Sequence, residues 1–219
     1  MEIAILIYNG FTALDVVGPY EILSRFPGVT VKFAAKEKGV VESEYKFLKM
    51  TADYSIQEIS RADILLVPGS TAAFMQVAKD KEVVNWISAI HSTTRWTTAV
   101  CSGTVILAAT GLLNGLEVTS HWGVYDQLRK LNTNPVAERF VQNGKIITAA
   151  GVSAGIDMAL NLAALEQGEE FAQMLQLVIE YDPKPKFDTG SLAKAPQHII
   201  DIAREFLMRD IQKMTGGTI

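Results

Sequence analysis

The sequence predicts a single α/β domain over residues 1–219, with a mostly parallel sheet sandwiched between helices. Three observations point there. Short apolar runs alternate along the chain with segments of helical periodicity, the pattern of repeated strand–helix–strand units. The run at 3–8 is continuously apolar rather than alternating, as a strand covered on both faces must be, and 62–67 reads as a second strongly buried strand. Finally, 219 residues, 48% of them hydrophobic, suffice for one sizeable core, and no repeat, low-complexity tract or linker divides them.

Residues 3–8 make the first strand, broken by Asn9-Gly10. Asp15 follows, near the start of a helical pattern from Tyr20. It is either an N-cap carboxylate or a group shown at the carboxyl edge of the sheet, where open α/β folds gather ligands. Residues 29–35 form a second strand, 38–50 a hairpin-like excursion and 53–59 a short helix. The strand at 62–67 stops at Pro68-Gly69-Ser70-Thr71, which is a plain turn or a loop whose N–H groups face a reacting group. Val83, Val84, Trp86, Ile87 and Ile90 give 81–91 an amphipathic helix, with His91 set against its last carbonyls.

A β-branched strand ending at Val100 runs through Cys101-Ser102-Gly103-Thr104 into a helix that reaches about Gly111. A short strand at 116–119 precedes a helix from Ser120 to Leu131. Asn143-Gly144, between 139–142 and 145–148, marks a hairpin. Residues 156–165 are apolar nearly all round and predict a buried central helix, followed by another at 169–181. Pro183 and Pro185 exclude regular structure from 182–191, which predicts an extended arm lying on its own domain or on a partner subunit. An amphipathic helix at 197–214 ends the pattern.

Composition narrows the chemistry. A net charge of −4 without a dense Lys/Arg cluster argues against nucleic acid, and no apolar run is long enough for a membrane span. The N-terminus has neither a basic region nor a small-residue cleavage site. One cysteine permits no intrachain disulfide, which fits a reducing cytoplasm. His91, His121 and His198 lie far apart, so no metal site is expected, and the absence of a glycine-rich fingerprint leaves a nucleotide cofactor without support. Cys101 remains. At a strand–helix corner, helix-terminal N–H groups favour its thiolate as a nucleophile, whereas the alternative is a small buried hydrophobe. His121 and Asp15 compete as its acid–base partner, and His121 equally suits a capping role.

Four stretches carry a family resemblance: Leu14-Asp15-Val16-Val17-Gly18-Pro19, Val67-Pro68-Gly69, Val100-Cys101-Ser102-Gly103 with Ser120-His121-Trp122, and Gly151-Val152-Ser153-Ala154-Gly155-Ile156-Asp157. They resemble the ThiJ/PfpI superfamily, flavodoxin-like relatives of class I glutamine amidotransferases. With the arm from Glu180 to Pro196, they are similar to its branch that hydrates isonitriles (isocyanides). The resemblance implies a flavodoxin-like fold and a cytoplasmic homodimer acting on a small isocyanide without a cofactor. It implies Cys101 as nucleophile, Asp15 as general acid and base, and Ser102 as an orienting group. Gly69, Ser70, His121 and Val152 would then bind substrate. Two positions depart from the pattern: Ser70 where a second glycine is common, and Ser102 where the hydratases carry threonine. Two other readings stay open, a cysteine hydrolase or amidase built on Cys101 and His121, and a cysteine-based redox or metabolite sensor.

Overall fold

The computed structural model describes residues 1–216, so the last three residues of the expected 1–219 domain lie outside it. Its strands, in chain order, are β1 (Glu2–Leu6), β2 (Thr30–Ala35), β3 (Gly39–Glu42), β4 (Lys49–Ala52), β5 (Tyr54–Ser55), β6 (Ile64–Val67), β7 (Trp96–Val100), β8 (Glu117–Val118), β9 (Asn134–Pro135), β10 (Phe140–Asn143) and β11 (Ile146–Ala149). Seven of them build the central sheet in the order β10-β11-β7-β6-β1-β2-β5. Every pairing in it is parallel except the hairpin β10–β11, which turns at Asn143-Gly144. The flavodoxin-like α/β class expected from the sequence is the observed one.

The helices are α1 (Ala13–Leu23), α2 (Phe74–Val77), α3 (Lys81–Thr93), α4 (Gly103–Ala108), α5 (Tyr125–Lys130), α6 (Ala154–Gln167), α7 (Glu169–Val178) and α8 (Gln197–Thr215). Alternation along each strand divides the core in two. Ile3, Ile5, Ile64 and Leu66 face α1, α6 and α7 on one side. Ala4, Leu6, Leu65 and Val67 face α2, α3, α4 and α5 on the other. Both faces are therefore covered, which explains the unbroken apolar runs.

Local differences have physical reasons. Thr12, not Asp15, precedes the first turn of α1, and Pro19 lies inside that helix rather than before it. Pro19 has no N–H to offer the Asp15 carbonyl; its ring instead fills the space over Gly155, where an added Cβ would meet Pro19 Cγ at 3.0 Å. The excursion at 38–50 is the antiparallel hairpin β3–β4. Residues 53–59 hold the two-residue β5 and one 3₁₀ turn instead of an α-helix, because Ala34 and Ala35 of β2 recruit Tyr54 and Ser55 into the sheet. The segment from Ser120 likewise starts with a 3₁₀ turn, Trp122–Val124, before α5. His91 does not turn to its own helix carbonyls. Its Nδ1 pairs with the Thr97 hydroxyl at 2.9 Å, and Lys145 takes the His91 carbonyl. Among the described residues, no helix is long and apolar enough to cross a membrane.

Candidate active site

Four chain segments leave the carboxyl edge of the sheet side by side: the loop and helix after β1, the Pro68–Thr71 loop after β6, the turn after β7 and the turn after β11. The turn after β7 is the tightest. Cys101 adopts φ +58°, a left-handed conformation that a non-glycine residue rarely takes. Its N–H is shared between the carbonyls of Ala149 (3.1 Å) and Ala150 (3.0 Å), and its own carbonyl accepts the Ser120 hydroxyl at 2.6 Å. With both peptide groups engaged, the surroundings hold the strained corner and fix the direction of the thiol. Gly103 makes the corner possible: a Cβ there would stand 2.3 Å from the Val67 carbonyl oxygen.

The sheet order β7-β6-β1 places one strand between the origins of Cys101 and Asp15, roughly 10 Å from one to the other at ordinary strand spacing. The Pro68-Gly69 loop closes that gap. Gly69 N–H donates to Asp15 Oδ2 at 2.8 Å, and Gly69 carbonyl accepts the Thr12 N–H at 2.9 Å. The Tyr8 hydroxyl pins the same loop by donating to the Pro68 carbonyl. Asp15 is fully buried, and its Oδ1 has no hydrogen-bond partner. The Cys101 thiol neighbours this carboxyl closely enough for each group to act on the other's ionisation. Asp15 is thus no N-cap; it is a buried acid held behind the sulfur.

Burial dominates the electrostatics. Loss of solvation pushes Asp15 up to about 8, against a smaller opposing effect of the Gly69 N–H. Loss of solvation, and then the charge of Asp15, push the Cys101 thiol well above its usual range. The N–H groups of Val152 and Ser102 bond the sulfur and work in the other direction. Burial therefore works against the thiolate that the helix-terminal N–H groups favour. Two negative charges cannot share this site, so the pair keeps at least one proton at neutral pH.

The thiol opens on a cavity of about 500 Å³. Ser70, Ser102, His121 and Val152 line it beside Cys101, whereas Gly69 does not. Gly69 serves behind the wall, where a Cβ would come within 2.6 Å of the Ser102 nitrogen and hydroxyl. Ser70 stands on the wall with its polar groups engaged. Its N–H goes to Ser102 Oγ (2.8 Å) and its hydroxyl accepts the Phe74 N–H at the start of α2 (2.6 Å). Ser102 Oγ donates in return to the Ser70 carbonyl at 2.7 Å. These reciprocal bonds occupy the Ser102 hydroxyl, leaving its backbone N–H as the group that meets the sulfur. Val152 has φ +36°, a strained value for a β-branched residue.

His121 faces the same cavity, and its ring packs over Gly151. Its Nδ1 accepts the Gly123 N–H at 3.1 Å, which leaves the proton on Nε2. Burial lowers its pKa and so favours the neutral imidazole. No hydrogen bond joins it to Cys101 among the described residues. Sequence reasoning missed Glu44, Thr12 and Trp122 on the cavity wall, together with Leu207, Met208 and Ile211 of α8. The amphipathic pattern of α8 announced a covered face but not what it covers. Among the described residues, no cluster of His, Cys, Asp and Glu is arranged to hold a metal ion.

Residues 1–165 match the family model described as the DJ-1/PfpI family. The chain is 35% identical over 205 residues to isonitrile hydratase of Pseudomonas putida, covering 94% of this chain and 89% of that protein. It is 27% identical over 127 residues to the HTH-type transcriptional regulator CdhR of Pseudomonas aeruginosa, covering 57% of this chain but 37% of the regulator. A crystal structure of a ThiJ/PfpI family protein from Pseudomonas syringae superposes with a TM-score of 0.89 at 32% identity, covering 97% of this chain and 90% of that one. Sequence, fold and the strained cysteine corner agree: the chain belongs to the DJ-1/PfpI family.

Proposed function

We propose that this protein is an isonitrile hydratase, adding water to a small isocyanide to give an N-substituted formamide. The observation that carries the reading is the placement of a buried, proton-holding carboxyl directly behind the only cysteine. The similarity to the P. putida hydratase over nearly the whole chain supports the same reading.

Hydration puts a hydrogen and an oxygen on the terminal carbon of R–N≡C. Asp15, protonated up to about pH 8, is the acid that supplies the hydrogen. As the carbon takes that proton, Sγ of Cys101 adds to it and the thiol proton passes to the Asp15 carboxylate. The covalent product is Cys101–S–CH=N–R, the sum of thiol and isocyanide. Water then adds across the C=N bond, its oxygen to carbon and its proton to nitrogen, with Asp15 acting as base and then acid. Breaking the C–S bond releases R–NH–CHO and restores the thiol. The N–H groups of Ser102 and Val152 stabilise charge on sulfur in both directions. Because Asp15 is shut off from solvent, it can serve only a carbon already at the sulfur.

The test is formamide formation from an aryl isocyanide by the purified protein. Wild type is expected to turn over, Cys101→Ala to lose all activity, and Asp15→Asn to lose at least about a hundredfold. A folded His121→Ala variant should keep measurable turnover. If it is as inactive as Cys101→Ala, the hydrolase-type pair of Cys101 and His121 replaces this mechanism. We also propose a homodimer. Large apolar side chains stand exposed along α7, the proline arm and α8, with Leu177 at 77% and Phe187 at 72%, together with Ile202 and Phe206.

A further inference from the structure

We propose that Glu44 is a positioning residue for this chemistry: its carboxylate ties the start of α1, which carries Asp15, to the Pro68–Thr71 loop that hydrogen-bonds Asp15. The inference rests on the hydration reading for what that proton does, but the placement of Glu44 stands on its own.

Glu44 sits at the turn between β3 and β4, and that hairpin is stitched to the chain after β1. Gly10 N–H donates to the Glu42 carbonyl, Glu42 N–H to Asn9 Oδ1, and Glu44 N–H to the Phe11 carbonyl. Phe11 and Ser43 form a parallel bridge. So fixed, the side chain reaches into the cavity wall. Its Oε2 accepts the Thr12 hydroxyl at 3.1 Å and the Thr71 N–H at 2.9 Å. Thr12 is the residue that opens α1, yet its hydroxyl makes no cap bond to the helix; Glu44 has taken it. Thr71 closes the loop that begins at Pro68. One carboxylate therefore clamps together the two segments that carry the Gly69–Asp15 hydrogen bond.

No lysine or arginine pairs with Glu44 among the described residues. Its charge acts uncompensated on Asp15, Cys101 and Tyr8, and in each case it opposes loss of a proton. The groups facing Asp15 are Tyr8 from the segment after β1, Cys101 from the corner after β7, and Glu44 from the hairpin. His121, Asp126 and Arg204 also line the cavity. Burial would raise Asp15 without help. The role of Glu44 is to keep the start of α1 in register with the Pro68–Thr71 loop while its charge adds to the effect of burial.

The experiment uses two readouts, one of which needs no hydratase activity. Alkylation of Cys101 by iodoacetamide is followed against pH in the wild type, Glu44→Gln, Glu44→Ala and Glu44→Asp, alongside the pH profile of isocyanide hydration. In both neutral variants the midpoint of alkylation and the alkaline limb of hydration are expected to move to lower pH by about half a unit or more. Glu44→Asp keeps the charge and should stay near wild type. Glu44→Gln also keeps acceptors for Thr12 and Thr71, so it should retain more turnover than Glu44→Ala. A folded Glu44→Gln or Glu44→Ala whose alkylation profile overlays the wild type overturns the proposal. A wild type that hydrates no isocyanide while the alkylation shift appears overturns the hydratase reading and leaves the role of Glu44 intact.

Discussion

At the scale of single residues, the proposed chemistry turns on a carboxyl that burial holds protonated where water would ionise it. Asp15 is ionised in the unfolded chain above its ordinary value of 3.8, whereas in the folded protein it holds its proton up to about 8. Between those values the native state binds more protons than the unfolded one, so stability falls as pH rises from about 4 to about 8. Asp15→Asn removes that dependence while keeping an acceptor for the Gly69 N–H. Thermal unfolding at pH 5 and pH 8 should therefore show the variant gaining on the wild type at the higher pH. Equal changes in both proteins would mean that Asp15 ionises normally. The nucleophile was readable from sequence because its signal is local: a β-branched strand, a cysteine and a Ser-Gly turn lie within a few residues. Asp15 was readable as a carboxylate near a strand end. Its meeting with Cys101 was not, since a whole strand, β6, lies between their origins.

At the scale of elements, the corner at Cys101 depends on close approach of backbone to backbone. Gly103 lies against the Val67 carbonyl, where a methyl group has no room and no flexible neighbour to displace. Gly103→Ala should cost about 2 kcal/mol or more of stability and turn the thiol away from Asp15. Chemical denaturation and the Cys101 alkylation rate would measure the two effects, and a variant matching wild type in both would show the corner to be looser than described. The strands and long helices followed from apolar runs and periodicity because tertiary packing agreed with local pattern. The exceptions arose where distant partners decided. Tyr54 and Ser55 joined β2, Pro19 packed over Gly155, and the hairpin β3–β4 read only as an excursion. With that hairpin went Glu44, whose reach to Thr12 and Thr71 no periodicity encodes. The Tyr45 hydroxyl, one residue on, donates to Asp210 of α8 at 2.7 Å, so the same turn also anchors the helix that walls the cavity.

At the scale of the molecule, the parallel sheet gathers the ends of β1, β6, β7 and β11 at one edge, and α8 crosses back to close the cavity beside them. Leu207, Met208 and Ile211 give that wall an apolar character suited to the hydrocarbon part of an isocyanide. The exposed apolar side chains of α7, the arm and α8 lie outside this enclosure and support association of two copies. Sedimentation velocity at micromolar concentration should give twice the monomer mass of 23.9 kDa; a monomer at that mass would leave those side chains without the proposed partner. The most direct measurement of the whole account is the mass of the intact protein quenched in acid during turnover of an aryl isocyanide. The mechanism predicts an increment equal to the complete isocyanide, located on Cys101 and absent from Cys101→Ala. Formamide released at full rate with no such adduct, or from the Cys101→Ala protein, would contradict it.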